Sequence, residues 1–475
     1  MSKIIIVGLG PGSSRHLTLD AWEILTTSDE IWLRTIHHPV VQALPRTLSL
    51  HSFDNTYEKS KSFEDVYVEI ASTITRLSQQ PGGVVYAVPG HPLVGESTVT
   101  KILGLAAEQN IEVRIVDGLS FIEPVLTALS YDPLDGLQVL DALALTAVNY
   151  PLINPDFPVL IAQVYSRAVA SSLKLVLMNQ YPDEHPVMMI EGAGTDRQQV
   201  IPMPLYAIDR GECNPLSTLF VTPFDIPSSF EGFQDTVARL RSPEGCPWDR
   251  EQTHKSLRMN LLEESYEVLD AIDAADPQAL LEELGDLLLQ VVLHAQIAIE
   301  EGEFYMTDVI SAIDTKLKRR HPHVWQGLDV DGVGDVVANW EAIKSEERKE
   351  NGKSEHSLLD SIPRALPALT QAYAYSDRVR RIGFHLEDMT RCPDEVIALM
   401  QRLQDSEFHG EYTDYFGNLL FSVVLWAQSL NIDAESALRE ANLRFANNFR
   451  RLESDKDTGK IPDLSDADIM QLWKK

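Results

Sequence analysis

The hydrophobic period of this chain changes near residue 225, and the change separates two halves that cannot share one fold. Before it, short β-rich runs at residues 4–7, 84–88, 113–116, 159–162 and 187–190 alternate with helical stretches such as 19–27 and 98–109. That alternation is the order of an α/β fold. From Phe233 onward strands nearly vanish and long amphipathic helices take over, so the second half reads as all-α. Between the halves, Val221-Thr222-Pro223-Phe224-Asp225-Ile226-Pro227-Ser228-Ser229 reads as a linker, because its prolines and serines interrupt both periods. At 475 residues the chain is too long for one ordinary core, and separate domains are expected.

Within the helical half, Glu263-Glu264-Ser265-Tyr266-Glu267 is followed by Glu283-Leu284-Gly285-Asp286. Carboxylates three or four apart on a helix share one face, so two such helices side by side crowd several acids into one volume. The expected apolar stripes are Leu261, Leu262, Val268, Leu269 and Ile272 on the first helix, and Leu280, Leu281, Leu284, Leu287, Leu288, Val291 and Val292 on the second. Glu264, Glu267, Glu283 and Asp286 lie beside or within these stripes. An unpaired carboxylate next to a leucine core costs several kcal/mol in rough terms unless a cation or hydrogen bonds compensate. Mg²⁺, a hard ion that takes carboxylates together with phosphate oxygens, is the expected compensator. Without it, the same acids would be helix formers on a solvated face.

The helical half also repeats itself. The segment from Leu284 to Gln296 is echoed by Phe416 to Gln428, and aligning the two through Gly285 and Gly417 sets Glu283 and Asp286 against Tyr415 and Asn418. The Glu263 to Glu267 acids then fall near Ala398 to Arg402, while Lys316, Arg319 and Arg320 fall on Arg444, Asn447 and Asn448. The second copy keeps the apolar pattern and loses the charges together, as a metal-and-phosphate site would if it decayed as a unit. A polar stretch, residues 344–357, divides the copies.

Composition excludes several function classes. The net charge of −31 argues against non-specific binding to nucleic acid or to an anionic membrane. With no run of 18 apolar residues and an N-terminus leading straight into a strand and glycine loop, a cytoplasmic protein is expected. Cys213, Cys246 and Cys392 are too far apart for a disulfide framework or a Cys-x-x-Cys zinc site, and His321 and His323 are read as a turn before Pro322. Against the acidic background, Lys316-Leu317-Lys318-Arg319-Arg320-His321 is the densest basic cluster, either a solvated helix end or a phosphate clamp.

Residues 233–345 resemble the MazG nucleotide pyrophosphohydrolases, whose pattern Glu-Glu-x-x-Glu then Glu-x-x-Asp is met by Glu263, Glu264, Glu267, Glu283 and Asp286. Gly245-Cys246-Pro247-Trp248-Asp249-Arg250-Glu251-Gln252-Thr253-His254 and Lys316-Leu317-Lys318-Arg319-Arg320-His321-Pro322-His323-Val324 also resemble this family. The resemblance implies metal-dependent cleavage of a nucleoside triphosphate to monophosphate and pyrophosphate, in an all-α fold that pairs helices across a homodimer. The residues fit that chemistry independently: Glu264, Glu267, Glu283 and Asp286 are the expected metal ligands, and Glu263, as base or outer-shell acid, and Glu267 the expected catalytic residues. Lys316, Arg319, Arg320 and Lys344 would meet phosphates, and Trp248 and Trp340 a base. Residues 362–475 resemble the second half of tandem MazG proteins and are expected to be structural, completing the helical bundle.

In the first half, Ile4-Ile5-Ile6-Val7-Gly8-Leu9-Gly10-Pro11-Gly12-Ser13 runs a strand into a glycine loop that fits the dinucleotide fingerprint poorly. Together with Val88-Pro89-Gly90-His91-Pro92-Leu93-Val94, Val116-Asp117-Gly118-Leu119-Ser120-Phe121 and Ser217-Thr218-Leu219-Phe220, it resembles the tetrapyrrole (corrin/porphyrin) methylases over residues 1–224. The resemblance implies two α/β lobes with S-adenosylmethionine held by Gly10, Pro11, Gly12, Gly90, His91, Pro92, Gly118 and Ser120. His91 stands where such methylases carry Asp in Gly-Asp-Pro, which leaves the methyl acceptor, tetrapyrrole or other, open. The order of the two parts resembles the YabN type of fusion.

The expected architecture is therefore multidomain: a two-lobed α/β methylase-like domain (1–224), an all-α MazG-like bundle (233–345) and its degenerate copy (362–475). The expected function is Mg²⁺-dependent hydrolysis of nucleoside triphosphates joined to a methyltransferase. Two other readings remain. One is a methyltransferase whose helical half serves only for dimerisation, and the other is a hydrolase regulated by a non-catalytic methylase fold.

Overall fold

A computed structural model describes residues 2–59, 62–350, 357, 359–360, 362–381, 392–404 and 412–454. The chain divides into two compact units, residues 1–309 and 310–475. In the first unit, β1 (Lys3–Gly8), α1 (Leu19–Thr27), β2 (Glu30–Leu33), β3 (Ser49–Ser52), α2 (Asp54–Lys59), α3 (Phe63–Leu77), β4 (Val84–Val88), α4 (Ser97–Glu108) and β5 (Glu112–Val116) build one lobe. Its five strands lie in the order β3-β2-β4-β1-β5, all parallel. Alternation along β1 sends Ile4 and Ile6 to a face shared with Ile70 and Ile74 of α3 and Ile102 of α4. Val7 lies on the other face with Leu25 of α1, Ile31 and Leu33. A sheet covered on both faces explains why its strands read as unbroken apolar runs. Each fully buried isoleucine there contributes about 1.5–3 kcal/mol.

The second lobe follows: α5 (Ile122–Leu129), β6 (Gln138–Asp141), α6 (Ala142–Thr146), β7 (Val159–Ala162), α7 (Arg167–Leu177), β8 (Pro186–Glu191), β9 (Gln199–Pro204) and β10 (Ser217–Val221). Its strand order is β6-β7-β10-β8-β9, with only β6 and β7 parallel. The strands read in sequence are present, with ends unchanged or shifted by one residue. β2, β3, β6, β9 and β10 lay outside that reading: the first four are short or mixed in exposure and carry little periodicity, and β10, buried throughout, was marked only as the motif Ser217-Thr218-Leu219-Phe220.

Beyond the linker come α8 (Phe230–Arg241), α9 (Pro247–Glu251), α10 (Arg258–Asp273) and α11 (Pro277–Glu301), and the unit boundary falls within α12 (Met306–Arg320). Asp156 ties the linker down: its Oδ1 accepts from Ser228 N at 2.6 Å and Ser229 N at 3.1 Å, and its Oδ2 accepts from the Ser229 hydroxyl. Ser229 Oγ in turn accepts from Gly232 N at 2.9 Å and so caps α8. α10 and α11 form a helical hairpin closed by Ala275 in left-handed conformation (φ 51) and by Asp276, which caps α11 ahead of Pro277. Val237, Leu257, Val292, Leu293, Ala295, Ile297 and Met306 form the core of this region.

That core differs from the expected stripes. Leu262, Leu269, Ile272, Leu281, Leu284, Leu288 and Val291 are exposed, whereas the core draws on the later half of α11. α8, in addition to α10, packs on α11, and its partners in the core lie among the later residues of α11.

The second unit contains α13 (Pro322–Trp325), α14 (Val333–Glu350), α15 (Ala368–Arg381), α16 (Cys392–Gln404), α17 (Tyr412–Ser429) and α18 (Ala434–Ser454). α17 packs against α15, α16 and α18, and Ser376 of α15 hydrogen-bonds Gln428 of α17 inside this core. α17 keeps the burial rhythm of α11. Val292 and Val424 are both buried, as are Gln290 and Ser422, while Leu284 and Phe416 are both exposed. Among the described residues no helix is long and apolar enough to cross a membrane.

Candidate functional site

Helical geometry brings Glu264 and Glu267 to one face of α10 and Glu283 and Asp286 to one face of α11. Across the hairpin, ligand oxygens of Glu264, Glu267 and Glu283 all lie within 4.8 Å of one another. Partial burial, then the Asp286 and Glu267 charges, push the Glu264 carboxyl above the ordinary range, although a Gln290 hydrogen bond opposes the rise. Glu283 is pushed up by lost hydration, then by Glu267, Asp286 and Glu282. Asp286 thus stands close enough to act on two of the three, while Glu263 is exposed and outside the triad. An all-oxygen donor set of mutually repelling carboxylates fits a hard divalent cation. Buried Gln290, which the sequence reading passed over, sits against Glu264 with its Oε1 unpartnered.

Trp248 lies on α9 with its side chain largely exposed. In the second unit, the Trp340 ring is flanked by the Arg320 guanidinium at 5.4 Å and Lys344 Nζ at 4.5 Å. Glu347 holds this group together. Its Oε2 accepts from Arg320 Nη2 at 2.6 Å and Nε at 3.1 Å, and its Oε1 lies 3.8 Å from Arg319 Nε. The Arg320 hydrogen bonds, with Arg319 and Lys316 nearby, hold the Glu347 carboxyl below its usual range. Lys316, Arg319, Arg320, Trp340 and Lys344 therefore converge around one carboxylate that the sequence reading had placed in a dividing polar stretch. The His321–His323 segment is the turn expected of it: His321 Nδ1 bonds Leu317 O at 2.7 Å, and Pro322 opens α13.

In the α/β half the three glycine loops follow β1, β4 and β5 and meet at the carboxyl edge of the parallel sheet, where such folds bind ligands. Gly10 and Gly90 exchange backbone hydrogen bonds of 3.2 and 2.8 Å. A Cβ on Gly8 would stand 2.7 Å from Gly90 O, and one on Gly118 would stand 2.6 Å from the same oxygen. These contacts require glycine. Gly90 itself, in left-handed conformation (φ 68), faces open space. Gly12 abuts Thr195, and Pro11 lies between the two loop glycines. His91 Nδ1 accepts from Leu93 N at 3.0 Å, leaving Pro92 spanned by that turn, and its Nε2 faces Asp117 Oδ1 at 3.5 Å. Ser120 is buried and donates to Glu123 at 2.6 Å.

Two supports of these loops lay outside the sequence reading. Burial pushes the His38 imidazolium down, so the neutral ring donates from Nε2 to Gly10 O at 3.1 Å. Arg34, just past β2, pairs with buried Glu96 and donates to Tyr57 at 2.9 Å. Neither partner pair is close in sequence, so no spacing announces them.

An α/β methylase half followed by a helical half with a crowded acid cluster defines a fusion of two enzyme domains. Residues 3–209 match the Tetrapyrrole (Corrin/Porphyrin) Methylases, and residues 252–325 match the MazG nucleotide pyrophosphohydrolase domain. The chain belongs to the YabN family: it is 37% identical over 485 aligned residues to YabN of Bacillus subtilis (strain 168), covering 100% of this chain and 98% of that one. The chain is 40% identical over 248 residues to the nucleoside triphosphate pyrophosphohydrolase/pyrophosphatase MazG of Thermotoga maritima, across 52% of this chain and 94% of the relative. It is 44% identical over 223 residues to the Escherichia coli (strain K12) nucleoside triphosphate pyrophosphohydrolase, across 46% of this chain and 84% of the relative.

Proposed function

We propose that the chain hydrolyses nucleoside triphosphates to nucleoside monophosphate and pyrophosphate in a Mg²⁺-dependent reaction, and that its α/β half is an S-adenosylmethionine-dependent methyltransferase. The observation that carries the hydrolase reading is the mutual approach of Glu264, Glu267 and Glu283 within 4.8 Å. The Thermotoga maritima and Escherichia coli relatives, named as pyrophosphohydrolases, support it.

Glu264, Glu267, Glu283 and Asp286 would hold the ion, which when bound neutralises phosphate charge and makes water more acidic. Glu263, exposed at the edge of the cluster, and Glu267 would orient or deprotonate the attacking water. Lys316, Arg319, Arg320 and Lys344 would stabilise charge spreading over the phosphate oxygens. Trp340 and Trp248 would offer a face to the base. In the α/β half, the open space at Gly90 fits a ligand cradled by backbone at Gly10 to Gly12, Gly90 to Pro92 and Gly118 to Ser120. A tetrapyrrole is the acceptor class in keeping with the methylase match. The boundaries 1–224, 233–345 and 362–475 complete the reading of a cytoplasmic fusion enzyme with a structural last part.

The test is incubation of the protein with nucleoside triphosphates and Mg²⁺, with products resolved by ion-exchange chromatography. Monophosphate and pyrophosphate are expected. Diphosphate plus orthophosphate, or unchanged substrate, would refute the reading. Glu267→Ala, on an exposed helical position, should lose turnover by about 100-fold or more while keeping its circular dichroism.

A further inference from the structure

α11 carries chemistry at both ends. Its length places Glu301 roughly 27 Å along the axis from Glu283, remote from the acid cluster. Glu301 ends the helix, Gly302 caps it in left-handed conformation, and Glu303 follows. His254, from the loop between α9 and α10, faces them. A ring nitrogen of His254 and one oxygen each from Glu301 and Glu303 lie within 4.8 Å of one another.

Three further features of this group favour a cation. The His254 Nε2 is buried and has no hydrogen-bond partner, and its nearest carboxylate oxygen, Glu303 Oε2, is 3.9 Å away, too far for a hydrogen bond. Its other ring nitrogen is already fixed: His254 Nδ1 lies 2.7 Å from His294 Nδ1, with the rings stacked 5.0 Å apart at 8°. Only one hydrogen fits between those two nitrogens. When His254 supplies it, Nε2 is left as a bare lone pair oriented by a second residue, the arrangement in which histidines ligate metals. His294 Nδ1, on the ring stacked against it, is the acceptor of that hydrogen.

The third observation concerns charge. Arg241 takes Glu300 with hydrogen bonds of 3.0 and 2.7 Å and also donates to the carbonyls of Asp249 and Gln252, pinning the His254 loop to α11. Among the described residues no lysine or arginine pairs with Glu301 or Glu303. Two uncompensated carboxylates thus sit at the negative end of a helix dipole, beside an unpaired imidazole nitrogen.

We propose that His254, Glu301 and Glu303 bind a divalent first-row transition metal of the zinc class, at a site separate from the acid cluster. One imidazole and two carboxylates favour such an ion over Mg²⁺, and water fills the remaining positions. The ion clamps the His254 loop to the end of α11 and thereby fixes the start of α10, the helix that carries Glu264 and Glu267.

The full-length protein, stripped with a chelator and held in millimolar Mg²⁺ to occupy the acid cluster, is titrated with Zn²⁺ alone against a chromophoric competitor. Co²⁺ replaces Zn²⁺ in a second titration followed by its visible spectrum. One ion per chain should bind, with affinity falling at least about tenfold in His254→Gln and in the Glu301→Gln/Glu303→Gln double variant. Glu264→Gln should retain it. Because Glu301 and Glu303 are exposed, the double variant keeps its fold even where His254→Gln does not. Zinc affinity unchanged in the double variant, loss of binding in Glu264→Gln instead, or no zinc binding in the presence of Mg²⁺ would each overturn the proposal. The readout is metal binding and does not pass through nucleotide hydrolysis, so the two readings fail separately.

Discussion

At the scale of single residues, the acid cluster is a place where the fold opposes itself. Glu264 holds its proton more tightly in the folded chain than in the unfolded one, because burial and then the neighbouring carboxylates disfavour its charge. For an acid shifted upward, stability is greatest at low pH and falls as pH rises through the folded value. Metal-free Glu264→Gln should therefore melt higher than the parent at pH 7, by roughly 1–2 °C, a small shift because the group is only partly buried. The same variant should lose most of the upward shift that Mg²⁺ gives the parent. Differential scanning fluorimetry with and without Mg²⁺ reads both effects, and a variant that melts lower without metal contradicts the argument. These acids were legible in the sequence because i, i+3 spacing on a helix is a geometric statement. Gln290, Glu347 and the His254–His294 pair were not, because each acquires meaning only from a partner on another element.

At the scale of elements, the junction between the halves depends on one carboxylate. Burial raises the Asp156 carboxyl, but hydrogen bonds from Ser228 and Ser229 outweigh it and the net shift is downward. Its contribution is therefore present above the ordinary carboxylate range and is lost as pH falls through the depressed folded value. Asp156→Ala should destabilise the protein by about 1–2 kcal/mol near neutral pH, the scale of a lost helix cap. The difference from the parent should shrink as pH falls from about 5 toward 2. Urea denaturation at several pH values measures it, and a pH-independent difference contradicts the assignment. The sequence marked this segment as a linker from its prolines and serines. It did not show that Ser229 caps α8 while donating to Asp156, because the acid is far away in the chain. The apolar stripe of α11 was misjudged for a related reason: periodicity gives the face, but the depth along the helix at which a neighbour covers it depends on tertiary packing.

For the whole molecule, the two chemistries occupy different stretches of chain and should be separable. Gly8→Ala would push a Cβ to 2.7 Å from Gly90 O, where neither backbone can yield without breaking the bridge at Gly10. Calorimetric titration with S-adenosylhomocysteine should show binding to the parent and a loss of about tenfold or more in this variant, a shift of at least 1.4 kcal/mol. Nucleoside triphosphate hydrolysis should persist. Loss of both together would indicate that the halves act as one. The burial rhythm shared by α11 and α17 adds another kind of information. Val292 and Val424 fill equivalent positions in helices of which only one carries acids at Glu283 and Asp286. The chain thus contains its own reference compound. An effect that follows the same substitution at both valines measures packing, and what remains at the first alone measures how the acid cluster leans on its scaffold.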